Sequence, residues 1–158
     1  MGRIYAIKDM DINQGDGVNV SVWFSGCPHK CEGCHNPQTW NKNQGEYFNS
    51  TTVKHIEYIL TKDDIHKNLS ILGGEPLSEY NIDSCLALIE YISNVLPKTQ
   101  IWLWTGYTLE ELEELYGKEL IEFFQQKIYC LIDGRYIKEQ HDVTRYKGSK
   151  NQNIYKFK

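Results

Sequence analysis

NVSVWFSGCPHKCEGCHNPQTW, residues 19–40, joins a β-branched run to a loop holding three of the chain's five cysteines. The run predicts a strand over Asn19–Phe24. It delivers Cys27, Cys31 and Cys34, spaced C-x3-C-x2-C, just past its carboxyl end. Three thiolates are one fewer than a cubane iron–sulfur cluster normally takes. A cluster held this way keeps one iron with an open position, and an open position separates a reactive metal site from a structural one. The same residues, with His29 or His35 as fourth ligand, would also make a Cys3His zinc site. Both readings follow from the spacing.

Working outward, strands and helices alternate. Ser50 is a candidate cap for a helix over Thr52–Leu60. Leu69–Leu72 reads as a short strand ending at Gly73. Asn81–Leu96 reads as a helix, with Ile82, Cys85, Leu86, Ile89, Ile92 and Leu96 on one face and Pro97 as its stop. Gln100–Trp104 is the next strand. Thr108 and Glu111 form a capping box opening a helix through Tyr116. Helix Lys118–Gln126, strand Ile128–Ile132 and a last strand near Ile154–Phe157 follow. Repeated strand–helix–strand units predict an α/β fold with a mostly parallel sheet and outer helices. The units are too few for eight strands, so a partial, open (β/α) barrel is expected. One domain over residues 1–158 is expected, with 141–158 as a polar C-terminal tail that has little to bury.

The chemistry-bearing residues gather after strands. The cysteine loop follows the first predicted strand, Gly73-Gly74-Glu75-Pro76 the second, Thr105-Gly106-Tyr107 the third and Asp133-Gly134 the fourth. Ligands of parallel sheets collect at these carboxyl ends. Gly73 and Gly74 let a backbone approach a ligand closely, although the segment is also good turn chemistry. Thr105 would point its hydroxyl into the mouth. Asp133 is a candidate ligand-facing carboxylate or a turn aspartate. Trp102, Leu103 and Trp104 read as strand packing. Cys85 and Cys130 read as small core hydrophobes and are excluded as ligands. His29 reads as a surface loop residue.

Four further stretches fall in order along the chain: ILGGEPL at 71–77, WLWTGYTLEEL at 102–112, LIDGRY at 131–136 and KGSKNQ at 147–152. With GCPHKCEGCHNPQTW, this set resembles the small activating proteins of anaerobic (class III) ribonucleotide reductases, within the radical S-adenosylmethionine superfamily. The resemblance covers almost the whole chain. It implies a partial barrel of the radical S-adenosylmethionine type. It implies a 4Fe–4S cluster on Cys27, Cys31 and Cys34, whose open iron chelates S-adenosylmethionine. It also implies cofactor contacts from Gly33, Cys34, His35, Gly73, Gly74, Glu75, Thr105 and Asp133. The implied reaction is reductive cleavage of S-adenosylmethionine to a 5′-deoxyadenosyl radical, which takes hydrogen from a glycine of the reductase large subunit. A flavodoxin-like donor would supply the electron. Asn151 and Gln152 are implied at the mouth or in partner docking. No catalytic acid–base pair is needed.

Two departures stand out. Asn19 occupies the place where the family often has arginine, and Lys150 the place where serine is common. Contacts of that arginine are therefore not carried over. Activation of another glycyl-radical enzyme is the alternative within this chemistry. A zinc-stabilised binding module is the alternative outside it.

Composition narrows the partners. The net charge is −4, with no basic block, so no nucleic-acid surface is expected. No apolar run is long enough to span a membrane, and the N-terminus lacks a signal-peptide pattern. A cytoplasmic protein with free thiols is expected.

Overall fold

Strand Asn19–Phe24 forms where its β-branched residues predict it, and its two faces divide the molecule. The computed structural model describes residues 2–144 and 146–157. In chain order the elements are β1 (Arg3–Asp11), β2 (Asn19–Phe24), β3 (Glu46–Tyr47), α1 (Ser50–Thr61), β4 (Asn68–Gly73), α2 (Ile82–Val95), β5 (Ile101–Trp104), α3 (Leu109–Tyr116), α4 (Lys118–Lys127), β6 (Cys130–Asp133), β7 (His141–Thr144), β8 (Lys147–Ser149) and β9 (Asn153–Lys156). Among the described residues they build a seven-stranded sheet in the order β3-β1-β2-β4-β5-β6-β9, with β7 and β8 as a separate hairpin.

The sheet is mixed, with the expected parallel strands at its centre. β2, β4, β5 and β6 run parallel in the middle. β1, β3 and β9 pair antiparallel at the flanks. The parallel part follows from the crossovers, because α1, α2 and the α3–α4 pair each return the chain to the same end. The sheet is open, and the described residues form no closed barrel.

Side-chain alternation then sorts the two faces. Val20, Val22, Phe24, Leu69, Ile71, Ile101, Leu103 and Leu131 belong to one buried cluster with Ile56, Cys85, Leu88, Ile89, Leu112 and Phe124 of the four helices. Trp102, Cys130 and Ile132 face the other way, packed with Trp104, Tyr129 and Tyr146. Loop 12–18 covers this second face. Ser70 donates to the Gln14 carbonyl at 2.9 Å. A β-carbon on Gly15 (φ +81°) would stand 3.0 Å from the Trp102 ring. Asn19 is fully buried and donates to the carbonyls of Asp16 and Gly17. It therefore binds the chain's own loop, where the family's arginine would be charged.

Several expectations change in detail. Asn49, not Ser50, caps α1, and its side chain accepts from Thr51 and Thr52. The α2 face includes Leu88, while Leu86 is only half-buried. The Thr108–Glu111 capping box stands as expected. The tail is better anchored than its polarity suggests, since β9 pairs with β6 over four residues. Lys150 is exposed, and its backbone N–H donates to the Gln140 carbonyl.

Candidate functional site

Past Phe24 the chain turns through Gly26 (φ +95°) into the cysteine loop. The base of that loop closes on itself. Gly26 N–H donates to Thr39 O at 2.6 Å, and Cys27 N–H donates to Trp40 O at 3.2 Å. Cys34 N–H reaches back to Cys31 O at 3.1 Å, and the Cys34 sulfur accepts from Asn36 N–H at 3.3 Å. All five cysteines are free thiols. Cys27, Cys31 and Cys34 share one cavity of about 430 Å³ with Gly73, Gly74 and Thr105, at the carboxyl ends of β2, β4 and β5.

The donor set fits a cluster. Among the described residues, no three cysteine, histidine or carboxylate side chains converge so as to hold one metal ion. A cubane takes its thiolates at separate irons, so thiols spread around a cavity suit it. Burial pushes the Cys27 thiol up to about 11, against the pull of the Lys30 and His29 N–H groups. Burial also raises Cys31. Cys85 and Cys130 are fully buried elsewhere, as expected of core residues.

One carboxylate organises the mouth. Glu75 is fully buried, with both oxygens engaged inside the protein. Oε1 accepts from Gly106 N–H at 2.7 Å and meets His29 Nε2 at 2.8 Å. Oε2 accepts from Thr105 Oγ1 at 2.7 Å and from Leu77 N–H at 2.9 Å. Thr105 in turn accepts from Tyr107 N–H. The hydroxyl expected to point into the mouth is instead directed at Glu75. His29 is not a surface residue either: its side chain is 5% exposed.

The other expected site residues divide. His35 lines the cavity, its ring 4.9 Å from that of Tyr136. Gln152 lines it too, but its amide is occupied. Oε1 accepts from Gly148 and Ser149 N–H, and Nε2 donates to Gly134 O. Asn151 lies off the cavity wall and donates to Arg135 O at 2.8 Å. These amides fasten the tail to the end of β6. Asp133 is also off the wall. It is fully buried and accepts from Leu109 N–H at the start of α3 and from Asn153 N–H of β9. Gly33 (φ +76°) is off the wall, where a β-carbon would meet Lys138 and Tyr136. The glycines of ILGGEPL are needed for packing within the chain. A β-carbon on Gly73 (φ +128°) would lie 2.5 Å from Phe24 N.

Residues to which the sequence reading gives no role also line the cavity, among them Arg135, Tyr136, His141 and Tyr146. Arg135 binds Glu111 through two bonds of 2.9 Å, and this holds the Glu111 carboxyl at about 2. The signal available was LIDGRY, which places an arginine just past a strand end.

Residues 13–155 match the family model described as a 4Fe-4S single cluster domain. The chain is also similar to curated proteins named anaerobic ribonucleoside-triphosphate reductase-activating protein. The one from Enterobacteria phage T4 is 35% identical, covering 97% of this chain and 91% of that protein. The one from Vibrio cholerae is 35% identical, covering 94% of each. The one from Escherichia coli K12 is 32% identical, covering 92% of this chain and 93% of that protein. The chain belongs to this family of anaerobic ribonucleoside-triphosphate reductase-activating proteins.

Proposed function

We propose that the protein activates an anaerobic ribonucleotide reductase by radical S-adenosylmethionine chemistry. The observation that carries this is the shared cavity, where three thiols of one loop face the glycine-rich end of β4. The four parallel strands are read as a partial (β/α) barrel of the radical S-adenosylmethionine type, with its mouth at this cavity. Cys27, Cys31 and Cys34 would hold a 4Fe–4S cluster. When bound, that group supplies the electron that cleaves S-adenosylmethionine to a 5′-deoxyadenosyl radical, which abstracts hydrogen from a glycine of the reductase.

The chain's own residues bind, orient and exclude. Carbonyls of Gly73 and Gly74 would meet the ammonium of the methionine moiety, and the rings of His35 and Tyr136 would stack on adenine. Glu75 works through the protein groups it anchors, because its oxygens are already occupied. Asp133 is retained only as the brace of α3 and β9. A flavodoxin-like donor and a cytoplasmic setting complete the proposal. Among the described residues, no helix is long and apolar enough to cross a membrane.

The test is anaerobic mixing of reconstituted protein, reductant, S-adenosylmethionine and a reductase large subunit. A glycyl-radical doublet by electron paramagnetic resonance, lost in Cys31→Ala, is expected. Cleavage without that doublet would point to another glycyl-radical enzyme as partner. Absence of cleavage would overturn the reading.

A further inference from the structure

We propose that His29 is a positioning residue, whose bond to Glu75 sets the cysteine loop against the ends of β4 and β5. The inference rests on the cavity being the cofactor site proposed above. His29 lies between Cys27 and Cys31, so the placement of its ring sets how the first interval of the loop presents its sulfurs. A histidine in a polar loop is ordinarily solvated, yet this side chain is 5% exposed and its partner Glu75 is fully buried. Burying a carboxylate costs free energy unless donors surround it. Here His29, Gly106, Leu77 and Thr105 all face it.

The ring is boxed on three sides. Glu75 holds Nε2. Gly106 lies so close that a β-carbon there would stand 2.5 Å from the His29 ring. Tyr107 meets it edge-on, with ring centroids 4.6 Å apart. An acceptor-only carboxylate in this place requires the tautomer with hydrogen on Nε2. One carboxylate thus joins the cysteine loop, the turn after β4 and the turn after β5. A small rotation of the loop would shift the sulfurs relative to Gly73 and Gly74. Reactions that depend on close alignment lose rate steeply with displacements of about 1 Å.

The experiment compares wild type, His29→Phe and His29→Gln as full-length, anaerobically reconstituted protein. Phenylalanine keeps the ring and loses the donor, while glutamine keeps a donor. The first readout is amide hydrogen exchange at Gly26 and Cys27, whose N–H groups close the base of the loop. The second is the S-adenosylmethionine concentration that perturbs the spectrum of the reduced cluster. His29→Phe should bind normal iron, exchange those amides about tenfold to a hundredfold faster and need about tenfold more S-adenosylmethionine, while His29→Gln stays within about threefold of wild type. Exchange in His29→Phe equal to wild type would overturn the proposal. So would His29→Gln being as impaired as His29→Phe, since packing alone would then be at work. If His29→Phe does not fold, Glu75→Gln decides, because its amide must face two of the four donors. Wild-type exchange in that variant overturns the proposal. The exchange arm needs no S-adenosylmethionine. A wild-type protein that ignores S-adenosylmethionine would therefore sink the proposed function, while the exchange rates would still decide the role of His29.

Discussion

Replacing Gly74 by alanine tests how tightly the turn after β4 supports the cysteine loop. The added β-carbon would lie 2.4 Å from Gly26 O, 2.8 Å from Gly26 C and 3.0 Å from Thr39 O. All three are backbone atoms, so no side chain can swing away. Gly74 has no positive φ, so the cost is steric and not conformational. Relief requires the Gly26 carbonyl to retreat, which breaks its 2.7 Å bond from Glu75 N–H. Losing that buried bond costs about 1–3 kcal/mol. Overpacking adds about 1–3 kcal/mol. Together, about 2–6 kcal/mol in a domain of this size lowers Tm by about 4–24 °C. Gly74→Val should do more, and because Gly26 adjoins Cys27, cluster content should fall along with cofactor affinity. The assay is thermal unfolding by circular dichroism, with iron content after reconstitution. Gly17→Ala is the control, since Gly17 has φ +68° and nothing within 4 Å of a β-carbon. It should cost about 1 kcal/mol through backbone strain alone and leave iron unchanged. Gly74→Ala with wild-type Tm and full iron would refute the reasoning.

Three other outcomes follow from the same geometry. Glu111 has its folded pKa depressed to about 2 by Arg135, so the pair contributes above the unfolded value of 4.5 and is lost as pH falls toward about 2. Unfolding free energies from urea titration of wild type and Glu111→Gln should differ by about 1 kcal/mol or less above pH 4.5, given the pair's exposure, and converge near pH 2. Cys85→Ala and Cys130→Ala should cost about 1–2 kcal/mol in chemical unfolding and leave iron content unchanged. Gln152→Ala leaves Gly148 N–H and Gly134 O short of partners. It should cost about 1–3 kcal/mol by the same measurement, whereas truncation after Tyr146 removes β9 and should destabilise the whole sheet.

The legible features were local ones. The Thr108–Glu111 capping box and the helix around Ile82–Ile92 are written in adjacent residues, so pattern alone finds them. β2, β4, β5 and β6 are short runs rich in β-branched, aromatic and aliphatic residues, and they read as buried strands. β1 was not legible, because its pairing with β2 carries two register shifts and its burial shows no clean alternation. The cap at Asn49 was misassigned because Asn49, Ser50, Thr51 and Thr52 all qualify. Site positions at strand ends were predictable from topology, but side-chain directions were not. Glu75 and His29 are 46 residues apart, and only the parallel register brings β4 beside β2 so that they meet. Asp133 looked like a ligand because it ends a strand, yet the start of α3 and β9 take both its oxygens.

The most direct measurement is iron, sulfide and zinc content after anaerobic reconstitution, in wild type and in Cys27→Ala, Cys31→Ala and Cys34→Ala. The account predicts about four irons and four sulfides per wild-type chain, with a spectrum that responds to S-adenosylmethionine, and loss of the intact cluster in each variant. One zinc per chain with no retained iron, or a normal cluster in any of the three variants, would contradict it.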